Sequence, residues 1–140
     1  MSGEPRKSGE RDLAVLLRAM QPVVNPGEYV FATIAGAVPE GLDPIVTVRE
    51  PEGRTLVIPR ADADAAGLPY AYVAGWITLR VHSALDAVGL TAAVATALAR
   101  EGMSCNVVAG YYHDHLFVAR ADTERAMGAL QRLTTAQREE

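Results

Sequence analysis

Residues 76–133 have the sequence WITLRVHSALDAVGLTAAVATALAREGMSCNVVAGYYHDHLFVARADTERAMGALQRL. Residues 76–81 place one apolar set at alternate positions, a pattern typical of a strand with one buried face. A glycine-containing loop follows. The apolar residues of 90–98 then recur at helical spacing, and Arg100 and Gly102 are typical of a helix C-terminus. The first half of this stretch therefore predicts a strand, a loop and a helix.

The second half of the stretch predicts a hairpin and another helix. Residues 104–109 and 115–119 are short β-prone runs, and the polar connector between them suits an antiparallel hairpin. Asp122 offers a helix N-cap, and an apolar stripe runs through residues 126–133. Because the helices fall between and after strands, the order predicts an α+β fold, in which two helices pack on one face of a mostly antiparallel sheet.

Trp76 lies on the opposite face of its strand from Ile77 and Leu79 if that strand is regular. The predicted helices cover only the face that carries Ile77 and Leu79. A large aromatic side chain on the other face indicates contact with the other half of the chain or with a second subunit.

The first half of the chain repeats the theme of paired strands followed by a helix. An amphipathic helix is predicted over 13–20, a turn at 26–27 and a strand over 29–34. Residues 45–58 favour a hairpin around a Glu-Pro-Glu-Gly turn, and residues 60–66 favour a short helix. We therefore expect two structurally related halves.

We expect the halves to meet near Ala74. The predicted division is a disordered tail over 1–11, an N-terminal subdomain over 12–73, a C-terminal domain over 74–135 and a short tail over 136–140. No Ser/Gly/Pro-rich linker separates the halves, so a single mixed sheet that continues across the boundary is the alternative.

Composition excludes several classes of function. The net charge of −4 and the pI near 5.4 provide no basic surface for nucleic acid. No apolar run is long enough to span a membrane, and the N-terminus lacks the apolar core of a signal peptide, so we expect a soluble, cytoplasmic protein. The single cysteine, Cys105, lies in a predicted strand and is interpreted as a buried structural thiol, with a reactive thiol as the minor alternative.

Three segments carry a family resemblance: residues 73–83, residues 89–92 and residues 103–115, which include the run NVVAGYYHDH. Together they resemble a compact family of proteins with two ACT domains, similar to the regulatory modules of aspartate kinases and to the arginine sensor CASTOR. The resemblance covers about residues 13–133. It implies tandem ferredoxin-like βαββαβ subdomains and a non-catalytic, regulatory function, namely binding of an amino acid or similar metabolite, with no cofactor or metal and with a homodimer as the expected assembly.

The resemblance also implies a place for the ligand, at an interface between modules. In such modules the ligand contacts the loop from the first strand to the first helix and the edge of the second strand. The matching residues of this chain are His82, Ser83, Asp86, Val88, Gly89, Leu90, Thr91, Ser104, Cys105, Asn106 and Val107. Free N–H groups at the helix start attract a carboxylate, Asp86 is suited to an α-ammonium, and Gly89 allows close backbone approach.

Other interpretations of these residues remain open. Ser83 or Asp86 could simply cap the helix. A structural or adaptor protein without a ligand would keep the same fold and act through protein–protein association. His82, Ser83 and Asp86 lie too close together on one loop for a hydrolase triad, and His113 and His115 provide too few ligands for a zinc site.

One strand of the expected pattern is missing. A standard ACT module ends in a fourth strand, whereas residues 134–140 are charged and indicate frayed helix or coil. Another segment should cover the open sheet edge. We expect either an exchange of strands between the two halves or a second chain that completes the sheet.

Overall fold

The computed structural model describes residues 12–138. The elements are α1 Leu13–Ala19, β1 Gln21–Ile34, β2 Val46–Glu50, β3 Gly53–Pro59, α2 Arg60–Ala66, β4 Val73–Arg80, α3 Leu90–Arg100, β5 Asn106–Ala109, β6 Asp114–Ala119, a short 3-10 helix Arg120–Asp122 and α4 Thr123–Arg138. The predicted disordered tail, residues 1–11, and the last two residues of the chain lie outside the described residues.

The six strands form one sheet in the order β2-β3-β1-β4-β6-β5. Every strand pair in the described part of the chain is antiparallel. The sheet therefore continues across residue 74. This is the alternative that the sequence left open, a single sheet for both halves, except that the sheet is antiparallel and not mixed. The domain boundary expected near Ala74 falls at the start of β4 and stays a prediction.

β1 is longer than predicted. It begins at Gln21, and its register against β4 shifts between Asn25 and Tyr29. The turn predicted at Pro26 and Gly27 was wrong, because these residues form an irregularity within a single strand. Gly27 has φ of +99°, which favours glycine, and a proline at a bulge removes no hydrogen bond from a regular ladder.

β1 also occupies the position of the missing strand. Its residues Gln21–Asn25 pair with β4, and Tyr29 and Val30 pair with both β3 and β4. β1 thus covers the edge of β4 that a fourth strand of the second half would cover. Of the two expected solutions, the strand from the other half of the same chain is the one observed.

All four helices of the described chain lie on one face of the sheet, as predicted. The main core joins α1, α3 and α4 to this face. Its largest fully buried members are Leu16, Met20, Ile77, Leu79, Leu98, Leu116 and Leu130. α2 closes a smaller cluster through Ala63, which packs with Val30, Leu56 and Ile58. None of the helices in residues 12–138 is both long enough and apolar enough to cross a membrane.

The C-terminal helix extends further than predicted. Residues 134–138, expected as frayed helix or coil, continue α4, and Thr134 is buried. The guanidinium of Arg138 donates to the carbonyl oxygen of Arg18 at 3.0 Å. Contact with the end of α1 therefore holds the last turn of α4.

The start of α4 packs closely on β4 at Gly75. A Cβ added to Gly75 would clash with Oγ1 of Thr123 and lie 3.2 Å from its Cβ. Thr123 in turn donates to the carbonyl oxygen of Arg120 at 2.9 Å, which holds the hydroxyl in place. The absence of a side chain at residue 75 thus sets the distance between helix and sheet.

We expect Gly75→Ala to lower the free energy of unfolding by about 1–3 kcal/mol, because the added methyl group overpacks this contact. Urea denaturation measures the change. Gly36→Ala is the matched control, since no described atom outside residue 36 and its two chain neighbours lies within 4 Å of a Cβ there. It should stay within about 0.5 kcal/mol of the parent protein. Equal effects of the two substitutions would contradict this account.

Candidate functional site: the β4–α3 loop and the concave face

The loop between β4 and α3 reaches the helix through Gly89. This residue is the N-cap of α3 and has φ of +106°, a conformation that favours glycine. A Cβ at this position would lie 3.1 Å from a methyl carbon of Leu13 in α1. Gly89 was predicted to allow close approach of the backbone to a ligand. The structure favours glycine here for two other reasons, its positive φ and its close contact with Leu13 of α1.

The N-cap residue of α3 is Gly89, which has no side chain to accept a hydrogen bond from the first turn. Ser83 and Asp86 lie before this position, and the interpretation of either side chain as a cap stays a prediction. The first intrahelical bond of α3 joins the N–H of Ala93 to the carbonyl oxygen of Gly89. The N–H groups of residues 90–92, in the first turn, therefore have no partner within the helix. A helix start of this kind favours a negatively charged group.

A small pocket of about 100 Å³ opens beside this helix start. Its lining residues are Ser83, Ala84, Leu85, Ala87, Gly89, Leu90, Thr91, Ala109 and Asp114. Ser83, Gly89, Leu90 and Thr91 were predicted as ligand-binding residues, and the fold brings them together here. The volume is that of about three water molecules, well below the roughly 300 Å³ at which binding pockets for small molecules begin.

The carboxylate in this pocket belongs to Asp114 and not to Asp86. Asp114, at the start of β6, is buried, whereas Asp86 is exposed and does not line the pocket. Burial raises the pKa of Asp114 above its usual value, and the nearby His115 and His113 partly oppose this shift. A cation placed beside Asp114 would offset the desolvation of its charge.

His82 and Val88, also predicted to contact a ligand, lie outside the pocket lining. The His82 ring lies 5.4 Å from the ring of Tyr112 and 6.3 Å from that of Tyr111. Val88 is 84% exposed. Both residues therefore belong to the outer surface of this corner of the molecule.

The four predicted residues near the second strand also lie outside the pocket. β5 begins at Asn106, so the strand predicted from Ser104 was wrong over Ser104 and Cys105. Cys105 packs against the main core, and burial raises the pKa of its thiol to about 11, which keeps it protonated. Val107 packs against the same core, and Asn106 donates to the carbonyl oxygen of Phe117 at 3.4 Å.

A larger cleft of about 690 Å³ lies on the face of the sheet that the helices leave open. The cleft is lined by Tyr29, Asp43, Pro44, Ile45, Val46, Pro59, Trp76, Val108, Ala109, Gly110 and His115. Trp76 packs edge-to-face on Tyr29 at 5.2 Å and stacks on Phe117 at 6.1 Å. The expected contact of Trp76 with the other half of the chain is thus confirmed by Tyr29.

A chain of polar side chains runs along the open face of the sheet and begins at two lining residues of this cleft. The indole N–H of Trp76 donates to Nδ1 of His115 at 3.1 Å, and Oγ1 of Thr78 lies 3.2 Å from the same nitrogen. The side-chain amide of Asn25 donates to Oγ1 of Thr78 at 2.9 Å. Because indole is only a donor, Nδ1 of His115 must accept, and the proton of the neutral imidazole is on Nε2.

Sequence reasoning found Trp76 but missed the cleft as a site. The alternation in β4 indicates that Trp76 and Thr78 lie on the same face of the sheet. The spacing of His115 and Phe117 indicates that these two residues of β6 also share one face, and their pairing with β4 makes it the same face. No group of three His, Cys, Asp or Glu residues that could hold a metal ion occurs within residues 12–138.

Two family models described as ACT domain match the chain, one over residues 8–75 and the other over residues 72–132. No curated protein sequence matches it. Among solved structures, a protein of unknown function from Vibrio cholerae, described as a possible transport protein, is 49% identical. That likeness has a TM-score of 0.80 and covers 87% of this chain and 95% of the Vibrio chain.

More distant structures share the fold alone. A protein from Agrobacterium tumefaciens is 21% identical, with a TM-score of 0.65 over 82% of this chain and 89% of its own. The ligand-free regulatory subunit of aspartate kinase from Thermus thermophilus is 10% identical, with a TM-score of 0.56 over 80% of this chain and 95% of its own. The predicted resemblance to regulatory modules of aspartate kinases is thereby confirmed at the level of fold.

We expect the stability of the protein to fall as the pH drops below about 6.5, the ordinary pKa of histidine. Burial lowers the pKa of His115, with His113 acting in the same direction and Asp114 against it. In this range the unfolded chain takes up a proton at His115 that the folded chain does not, so the free energy of unfolding decreases.

Urea denaturation between about pH 7 and about pH 5.5 measures this effect. The variant His115→Gln lacks the titrating group and should lose less stability across the range than the parent protein. Equal losses in the two proteins would show that His115 does not carry the pH dependence.

Proposed function

Because the chain belongs to the ACT-domain family, whose members in general bind small ligands in regulatory roles, we propose that it is a non-catalytic regulator that binds an amino acid or similar small metabolite. We place the ligand at the pocket between the β4–α3 loop and Asp114. The observation that carries this proposal is the pairing of a helix start whose N-cap is glycine with a buried carboxylate in one pocket. In this proposal the two ACT modules are residues 12–73 and residues 74–135, and the pairing of β1 with β4 joins them.

The charges of the pocket suit the common part of all amino acids. The N–H groups of the first turn of α3, which have no partner within the helix, favour an α-carboxylate. The carboxylate of Asp114 favours an α-ammonium, and the pair would offset the cost of burying Asp114. Because the pocket holds only about 100 Å³, the ligand side chain would extend beyond it, towards the outer surface of this corner.

That outer surface suits a second copy of the chain. Leu85 is 70% exposed and Val88 84% exposed, and the exposed rings of Tyr111 and Tyr112 lie beside His82, which belongs to the same loop. Such a group of exposed apolar side chains is typical of an interface. A second copy seated here would complete the pocket, so that ligand binding and association would favour each other.

A thermal-shift panel of amino acids tests the proposal. A ligand at about one hundred times its dissociation constant adds about 2.7 kcal/mol to stability, which corresponds to a rise of about 5–10 °C in Tm for a chain of this size. Asp114→Asn should remove the response to the active amino acid, because the amide keeps the shape of the side chain but not its charge. Asp62→Asn, in α2, is the matched control and should respond like the parent protein.

Asp86→Asn separates the two carboxylates. If this variant loses the response and Asp114→Asn keeps it, the ammonium partner is Asp86, as the sequence suggested. If both variants keep the full response, the ligand binds elsewhere. Silence of the parent protein across the whole panel would contradict ligand binding and favour the alternative function, an adaptor that acts through protein–protein association.

Association should depend on the same corner. Val88→Asp places a charge on the exposed apolar surface, and we expect it to raise the dimer dissociation constant by at least about tenfold, because one desolvated charge in an interface costs more than about 1.4 kcal/mol. Sedimentation velocity measures the change. Val48→Asp, on the exposed edge strand β2, is the control, and an equal loss of dimer there would move the interface to another surface.

A further inference from the structure

The open face of the sheet is concave. β2 and β5 are the two edge strands of the described sheet and are separated by four other strands. In a flat sheet they would be about 24 Å apart, five times the spacing of about 4.8 Å between neighbours. Yet Val46 of β2 and Val108 of β5 line the same cleft, together with Trp76 of the central strand β4. The sheet must therefore curl around this face.

Concavity indicates the kind of occupant. A second copy of the chain related by a two-fold axis would present the same concave face. Two concave surfaces that face each other touch at their rims, and the centre of each cleft stays unfilled. A body small enough to enter the curl fills it. The volume of about 690 Å³ lies within the range of pockets that bind small molecules.

The floor of the cleft indicates a planar, apolar ligand body. Trp76 is only partly buried although Phe117, beneath it, is fully buried. Its ring is held on two sides by Tyr29 and Phe117, at 5.2 Å and 6.1 Å. The wall residues Ile45, Val46 and Val108 are aliphatic. A ring entering the cleft would meet a fixed aromatic surface at little cost in side-chain entropy.

His115 supplies a fixed hydrogen-bond donor at the cleft. Its Nδ1 accepts from the indole of Trp76, so Nε2 carries the proton. Nε2 lies on the side of Gly110, another lining residue, where an added Cβ would be only 3.1 Å away. The same Cβ would lie 2.7 Å from the carbonyl oxygen of His113, so glycine at residue 110 leaves room both for the backbone and beside Nε2. A ligand that reaches Nε2 must present an acceptor.

The charge of the cleft indicates the sign of the ligand. Asp43 is the one formally charged side chain among the described residues of the lining, and it is exposed at the rim. A cation entering the cleft would be attracted by this carboxylate and an anion repelled. The effect is modest because solvent screens an exposed charge.

We propose that the concave face is a second binding site, for a neutral or cationic small molecule with a planar aromatic body and one hydrogen-bond acceptor. The site opens on the opposite face of the sheet from the pocket of Asp114, and Ala109 is the one lining residue common to both. Its ligand class also differs, because the cleft disfavours the free carboxylate that the start of α3 would attract.

Trp76 reports on this site without a label, since it is the only tryptophan in the chain. Its fluorescence is titrated with three probes that carry the same aromatic amide: benzamide, para-(aminomethyl)benzamide as the cation and para-carboxybenzamide as the anion. We expect the cation to bind about two- to fivefold more tightly than the anion, with benzamide between them. No change in emission with any probe, or tightest binding of the anion, would overturn the proposal.

Two pairs of variants test the residues. Asp43→Asn should remove the difference between the cation and the anion, whereas Glu40→Gln, an exposed acid of the same loop outside the cleft, should keep it. His115→Phe should weaken all three probes by about two- to tenfold, through loss of the donor, and should leave their order unchanged. His82→Phe is its control, and equal effects within either pair would refute the assignment.

The result is distinguishable from that of the amino-acid panel. Asp114→Asn should abolish the response to the amino acid and retain the fluorescence response to the probes if both sites exist. Loss of the amino-acid response alone leaves the cleft in place, and loss of the fluorescence response alone leaves the proposed regulatory site in place. A change of Trp76 emission with protein concentration, without probe, would mean that another copy fills the cleft and would overturn the proposal.

Discussion

The pairing of β1 with β4 is the interaction on which the rest of the structure depends. It runs from the pair Gln21 and Arg80 to the pair Val30 and Val73 and joins strands that lie far apart in the sequence. Without it each half would have an unpaired strand edge in the middle of its core, which is costly for backbone groups. With it, β1 serves as the outer strand of the second half and β4 as that of the first. The two halves therefore fold as parts of one sheet.

Local sequence signals predicted most elements but could not show this sharing. The hairpin of β2 and β3, the helices α2 and α3 and the strand β6 each carry their own alternation, turn residues or caps, and their predictions were confirmed. β1 does not carry such a signal. Proline and glycine, as at Pro22, Pro26 and Gly27, are normally signals of a turn or loop between elements. Here Gln21–Asn25 has a described partner on one side only, and prolines are tolerated where a backbone N–H has no strand to meet.

The candidate sites divide in the same way. Gly89 and Thr91 could be predicted because they lie in one loop whose chemistry is local. Asp114 could not be assigned to that loop from the sequence, since only the pairing of β6 with β4 and β5 brings it there. The cleft depends on the curl of all six strands, which no single segment encodes. Trp76 and His115 could be placed on one face by alternation, but not at the bottom of a hollow.

Asp114 and His115 connect the two faces. They are neighbours in β6, and successive side chains of a strand point to opposite sides, so that Asp114 belongs to the loop pocket and His115 to the concave cleft. Each influences the ionisation of the other: His115 lowers the pKa of Asp114, and Asp114 raises the pKa of His115. An ammonium group that pairs with Asp114 would offset the negative charge that raises the pKa of His115. The pKa of His115 would then fall, which favours the neutral imidazole that faces the cleft. By linkage, a molecule that binds neutral His115 would favour the cation at Asp114 to the same extent. The adjacency of Asp114 and His115 in β6 thus gives an electrostatic link between the two faces of the sheet.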